Sequence, residues 1–176
     1  MKCPKCKFED LKPTKLERGL SAMGCPSCQG ALVSLLYYRD WVEREEPSTP
    51  PDEMLAEKAA DTEAAISCPK CSRLMTKYRI TGSNQHRLDL CASCDESWLD
   101  GGEWELLKSL ELSRLMPQVF TDEWQRKLRK EQFTADREAR LKKLVGEADV
   151  EQAKVMRDWL QGHPHRSDIL FFINHE

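Results

Sequence analysis

Eight cysteines occur in the chain, and all of them fall into four Cys-x-x-Cys pairs: Cys3/Cys6, Cys25/Cys28, Cys68/Cys71 and Cys91/Cys94. A gap of two residues lets both thiolates of a pair turn towards one ion. Eighteen residues separate Cys6 from Cys25 and nineteen separate Cys71 from Cys91, whereas the stretch from Cys28 to Cys68 is about twice as long. The pairs therefore group into two matching blocks. The spacing within each block is that of a zinc ribbon, in which a spacer of this length brings the second pair back to the ion held by the first. Cys3, Cys6, Cys25 and Cys28 are expected to hold one zinc ion, and Cys68, Cys71, Cys91 and Cys94 a second. Four thiolates form a closed tetrahedral site. Redox use of a Cys-x-x-Cys pair calls for a surrounding βαβ pattern, which none of the four has. Interleaving of ligands between the blocks is disfavoured by the repetition itself.

The elements around the cysteines must place these ligands. Each spacer reads as a β-hairpin, with Thr81-Gly82-Ser83-Asn84 at the tip of the second. His86, just past that tip, reads as an exposed hairpin histidine, because four cysteines already complete the site. Each block then launches a helix. In the second, Asp100 and Glu103 form a D-x-x-E capping box, and Trp98 and Leu99 precede it as an apolar staple for Trp104, Leu106 or Leu107. In the first, Ser34 stands six residues after Cys28, as Asp100 does after Cys94. Leu35, Leu36, Tyr38, Trp41 and Val42 follow it at helical spacing. A ribbon alone buries too little to fold, so metal and helix must supply the remainder.

Cys68-Pro69-Lys70-Cys71, Leu74, Leu90-Cys91-x-x-Cys94 and Trp98-Leu99-Asp100-x-Gly102-Glu103 together resemble the transcription-factor-IIB-type zinc-finger family. The likeness covers about 40 residues. The first block looks like a diverged copy that keeps the cysteines and loses the tail. Two features depart from the family pattern. Ala92 replaces the proline that usually follows the third cysteine, although Pro26 keeps it in the first block. Asp95, Glu96 and Ser97 replace the small residues after the fourth cysteine; aspartate tolerates positive φ, so the knuckle survives. The resemblance implies metal binding and a transcription-associated setting, not DNA binding as such.

Two small α+β zinc-ribbon modules followed by an all-α C-terminal region are the fold expected. Residues 1–46 form the first ribbon and its helix, 47–66 a partly helical linker, 67–113 the second ribbon and its helix, and 114–176 the helical region. Pro47-Ser48-Thr49-Pro50-Pro51-Asp52 marks the linker, and Glu53–Ala65 reads as a tether or short helix. From Thr121 a helix carries Trp124 and Leu128 towards Leu144, and Gly146 breaks it. Asp149-x-x-Gln152 opens another helix with Val150, Met156, Trp159 and Leu160, ended by Gly162 and Pro164. Ser167 or Asp168 caps a last turn or two through Ile169-Leu170-Phe171-Phe172-Ile173, expected to dock on its neighbours. His163, His165 and His175 read as surface histidines.

No apolar run approaches the roughly 20 residues of a membrane span, and Met1–Cys6 lacks the apolar core of a signal peptide. A cytoplasmic protein with reduced thiols is expected, with no membrane partner. Catalysis is not expected, because a catalytic zinc keeps an open position beside histidine or carboxylate ligands and no other catalytic motif is present. An interaction protein remains, with a protein partner as the first reading and self-association through the C-terminal helices as one form of it. Nucleic acid is the alternative, through Arg126, Lys127, Arg129 and Lys130. The formal net charge of −3 and the lack of aromatics among those bases weigh against it. A zinc or redox sensor is a third reading of the same thiolates.

Overall fold

Between the two pairs of each cysteine block the chain turns back on itself as a hairpin. In the computed structural model, which describes residues 1–44, 46 and 50–175, β1 (Lys12–Glu17) pairs with β2 (Leu20–Gly24), and β4 (Thr76–Arg79) with β5 (Arg87–Cys91). The tip at Thr81–Asn84 falls between β4 and β5 as expected. A third strand follows each hairpin: β3 (Ala31–Ser34) beside β2, and β6 (Glu96–Leu99) beside β5.

β3 and β6 then pair with each other, antiparallel, through Ala31↔Leu99, Leu32↔Trp98, Val33↔Ser97 and Ser34↔Glu96. One six-stranded sheet results, in the order β1-β2-β3-β6-β5-β4. The two ribbon segments thus share a sheet, which reads three strands inward from either edge. Directly opposed residues of antiparallel strands share a face. Met23, Leu32, Trp98, Asp89 and Lys77 consequently form one row across five strands. On that face Leu32, Trp98, Leu11, Ile66 and Met75 bury themselves among the cysteines.

The opposite face carries the larger core. Leu20, Ala22, Val33, Leu88 and Leu99 meet helices α1 (Leu35–Arg44), α3 (Glu103–Ser109) and α4 (Met116–Val119). Apolar residues at i, i+3 and i+6 in α1 are buried: Leu35, Tyr38 and Trp41. Leu36 remains exposed. Trp41 meets Trp104 edge-on at 5.8 Å, and its indole donates to the Arg18 carbonyl. The Tyr38 hydroxyl donates to the Ser113 carbonyl and accepts from the Met116 amide; burial moves its pKa up to about 12 against that amide. Trp98 and Leu99 do not act together as a staple. Strand alternation sends Trp98 to the cysteine face and only Leu99 to Trp104 and Leu107.

Part of the expected linker, Pro47–Thr49, lies outside the described residues. The part that follows is bound rather than free. Asp52 caps the short helix α2 (Glu53–Glu57) by accepting from the Leu55 amide, and its own amide donates to Glu105. Further on, Ala60 N–H donates to the Gly101 carbonyl at 2.8 Å, and Thr62 N–H to Asp100 at 2.6 Å.

The chain divides into two compact units, one of Met1–Arg129 and one from Lys130 onwards. Helix α5 (Asp122–Val145) begins in the first, where Thr121 caps it and the Trp124 indole donates to the Ile80 carbonyl. In the second unit, Gly146 (φ 89°) joins α5 to α6 (Glu147–Gln161) as a helical hairpin, with Lys154 of α6 on Glu138 of α5 at 2.7 Å. Helix α6 starts two residues before Asp149, and its N-cap is Gly146 with no side-chain cap. Val150 and Leu160 are its buried residues. Helix α7 (Arg166–Asn174) buries none of its side chains fully: Ile169 and Leu170 are half-buried, Leu170 facing α6, while Phe171, Phe172 and Ile173 are exposed, so the apolar run is only partly covered. Among the described residues, no helix is long and apolar enough to cross a membrane.

Candidate metal centres

Each cysteine pair sits on the same local device. The residue after its second cysteine turns left-handed: Lys7 (φ 67°), Gln29 (59°), Ser72 (63°) and Asp95 (55°). In three of the four pairs that residue's amide donates back to the carbonyl of the first cysteine, at 2.8 Å for Lys7, 3.0 Å for Gln29 and 2.8 Å for Ser72. The Cys6 amide also points at the Cys3 sulfur, at 3.3 Å. These turns aim both sulfurs of a pair in one direction. Asp95 occupies its turn in the conformation its side chain tolerates.

The knuckles converge as two sets of four. The sulfurs of Cys3, Cys6, Cys25 and Cys28 lie within 4.8 Å of one another, as do those of Cys68, Cys71, Cys91 and Cys94. Individual separations are 3.7 Å for Cys3–Cys28, 3.9 Å for Cys6–Cys25 and 3.6 Å for Cys71–Cys91. Four thiolates around one ion at about 2.3 Å stand about 3.8 Å apart, whereas a disulfide needs about 2.05 Å. All eight thiols are free. The donor sets fit a tetrahedrally held metal ion in each cluster.

The charge pattern agrees with that fit. Four thiols this close cannot all ionise without a cation among them. In the first cluster burial opposes ionisation of Cys25, but amides of Cys28 and Ser27 and the neighbouring thiols bring it down to about 7, while burial drives Cys28 far up. In the second, the Arg73 amide and the Cys94 thiol bring Cys71 down to about 7, and Cys94 is pushed up to about 12 by its Cys71 hydrogen bond and by burial.

No family model, curated protein or solved structure matches this chain.

The two clusters are built into each other's surroundings. The first amide of α1, at Leu35, donates to the Asp95 carbonyl of the last knuckle, and Arg39 clasps the Asp95 carboxylate at 2.7 and 3.3 Å. In return, a side chain at Gly101 would stand 2.5 Å from the Cys28 carbonyl, which is how close the turn after β6 comes to the first cluster. Trp98, fully buried, belongs to one apolar cluster that also includes cysteines of both sites. Lys70 of the second block pairs with Glu96 at 2.9 Å, while Lys5 of the first reaches Asp100 at 3.5 Å.

Asp100 is not the helix cap that its sequence pattern indicates. Its carboxylate accepts from the Thr62 amide and the Trp98 indole, and α3 begins at Glu103 behind Gly102 (φ 87°). The reciprocal half of the box does form, with the Asp100 amide donating to Glu103 Oε2 at 2.8 Å.

Arg126, Lys127, Arg129 and Lys130 are exposed on α5. Arg126 donates to the Asp122 carbonyl, and among the described residues none of the four forms an ion pair. His163, His165 and His175 gather no metal-binding group among the described residues, and His165 lies 3.4 Å from Asp168.

A third group of metal-ligating residues is present without any cysteine: Asp61, His86 and Glu103. Glu103 is fully buried. Burial raises its carboxyl well above the ordinary range, against the Asp100 amide and with Asp100, Asp61 and Asp89 adding to it. Only Glu103 carried a signal in the sequence, as the end of D-x-x-E. His86 is not the exposed hairpin residue expected; its Nδ1 is buried with no hydrogen-bond partner.

Proposed function

We propose that the chain is an interaction protein whose fold is held by two structural zinc ions, one in each four-cysteine cluster. The convergence of the four thiols of each cluster on a common centre, from knuckles of the same turn type, carries the reading. Closed all-sulfur sites suit a scaffold and leave no coordination position for substrate, which supports a binding role rather than catalysis. The residues of the W-L-D-x-G-E stretch, now seen at the junction of the two clusters, support the likeness to transcription-factor-IIB-type fingers and with it a transcription-associated setting. Reduced thiolate sites accord with an intracellular compartment.

A protein is the partner we favour. Trp159, Phe171 and Phe172 are 55%, 68% and 81% exposed, aromatic side chains of the kind that anchor protein interfaces. Nucleic acid is the second reading, favoured by the exposed and unpaired bases of α5.

Cadmium substitution tests the metal sites: two resonances in the all-thiolate range of the cadmium NMR spectrum are expected, and fewer than two overturns the assignment. Capture from native extract, with and without nuclease, tests the partner. A partner retained after nuclease and lost with Phe171→Asp/Phe172→Asp supports protein docking; one lost with nuclease supports nucleic acid.

A further inference from the structure

Beyond the cysteine clusters, the geometry points to a third metal site, in which Asp61, His86 and Glu103 hold a divalent first-row transition-metal ion through oxygen and nitrogen. One ligand atom from each lies within 4.8 Å of the others, and none of the three side chains hydrogen-bonds another. Ligand atoms on one such ion, bound at about 2.0–2.2 Å, stand about 3–4 Å apart. Small side-chain adjustments close the group onto an ion.

Unpaired acceptors mark the place. Glu103 is 1% exposed, and its Oε1 is buried with no partner, although Oε2 is fixed by the Asp100 amide. Nδ1 of His86 is likewise buried and unpaired, as is Oδ1 of Asp89. Buried polar atoms are normally satisfied, so each such orphan asks what it faces. Two of the three are carboxylate oxygens, and His86 Nδ1 accepts or binds metal in the tautomer protonated at Nε2, a set that suits a cation rather than an anion.

Charge gives an independent argument. Asp61 is paired with Arg87 at 2.6 Å, Asp89 with Lys77 at 2.8 Å and Asp100 with Lys5 at 3.5 Å. Burial and the field of all three acids favour the neutral form of Glu103, so an ionised Glu103 needs a cation beside it. A divalent ion supplies one. Imidazole with two carboxylates suits zinc, iron or manganese. The supports are also in place: the Arg87 amide and guanidinium orient Asp61, and the Ile80 amide holds the His86 carbonyl at 3.1 Å. Three protein donors leave at least one position for water or a small ligand.

The test starts from full chain already carrying two thiolate-bound zinc ions. Further Zn²⁺ is titrated by calorimetry, and Mn²⁺ by the loss of its aqueous paramagnetic resonance signal. One additional ion per chain is expected with at least one of these metals. Glu103→Gln, which keeps the shape and the bond from Asp100, and His86→Ala, at the hairpin end, should each weaken it by about tenfold or more. Both should leave the two cadmium thiolate resonances in place. If Glu103→Gln does not fold, Asp61→Asn takes its place. No third ion with either metal, as when Glu103 is simply protonated, overturns the proposal. So does a third ion whose affinity is unchanged in either folded variant.

Discussion

Asp100 shows how much one carboxylate can join. It takes hydrogen bonds from the Thr62 amide and the Trp98 indole and faces the Lys5 ammonium, all at a buried position. Asp100→Ala leaves two buried donors and a cation unanswered, so it should cost about 3 kcal/mol, more than the roughly 1 kcal/mol of a lost cap. Urea unfolding of the metal-loaded protein measures this; a cost near that of a cap would show that the bonds from residues 62 and 98 contribute little. Gly102 is constrained in two ways. Its φ of 87° is left-handed, and a Cβ there would stand 2.5 Å from the Leu55 carbonyl. Gly102→Ala should therefore destabilise by about 2 kcal/mol or more and expose the 53–62 segment to limited proteolysis. An unchanged digestion pattern would mean that α2 does not need this close approach. The sequence showed Asp100, Gly102 and Glu103 as a motif at a helix start. It did not show which atoms they meet, because those partners come from residues 5, 55, 61 and 62, distant along the chain and unremarkable in composition.

Strands and hairpins were legible where cysteine spacing and turn residues fix them. Thr81–Asn84 marked a tip, Ser34 and Asp100 marked strand–helix junctions, and helices followed both. The β3–β6 seam was not legible, because ligand spacing says nothing about which edges meet. Four-residue strands carry too little alternation to fix a partner. The seam has a consequence for metal loss. Trp98 lies in one apolar cluster with cysteines of both sites, and the Leu35 amide and Arg39 side chain brace the last knuckle from the first block's helix. Cys6→Ser should therefore loosen the second cluster as well as empty the first. Chelator competition followed with a colorimetric zinc indicator should show Cys68, Cys71, Cys91 and Cys94 releasing their ion at a lower chelator concentration in the variant than in the wild type. Identical release from the second cluster in both proteins would mean that the two ribbons behave as independent modules despite their common sheet.

Across the whole molecule, charge and apolar exposure point to different partners. Net charge is −3, yet Arg126, Lys127, Arg129 and Lys130 stand exposed within little more than one turn of α5, around buried Leu128. The C-terminal apolar run is covered only in part, at Ile169 and Leu170, because helical spacing indicates an apolar face without saying what lies against it. The bases set a ceiling that can be calculated. Four phosphate contacts give a log–log salt slope of about −3.6, or a loss of about 150-fold between 50 and 200 mM salt. Glu123 and Glu131 flank the group at helical pairing distance, and the acidic chain repels a polyanion at long range. Binding to duplex DNA near physiological salt should consequently be no tighter than the micromolar nonspecific range, with a slope shallower than that ceiling. Lys127→Glu/Lys130→Glu should weaken it equally for unrelated sequences, because phosphate contacts position without reading bases. Fluorescence anisotropy across a salt series measures all three quantities. A submicromolar complex at about 150 mM salt, or a slope steeper than about −3.6, would require a cationic surface larger than these four side chains and would make nucleic acid the primary partner.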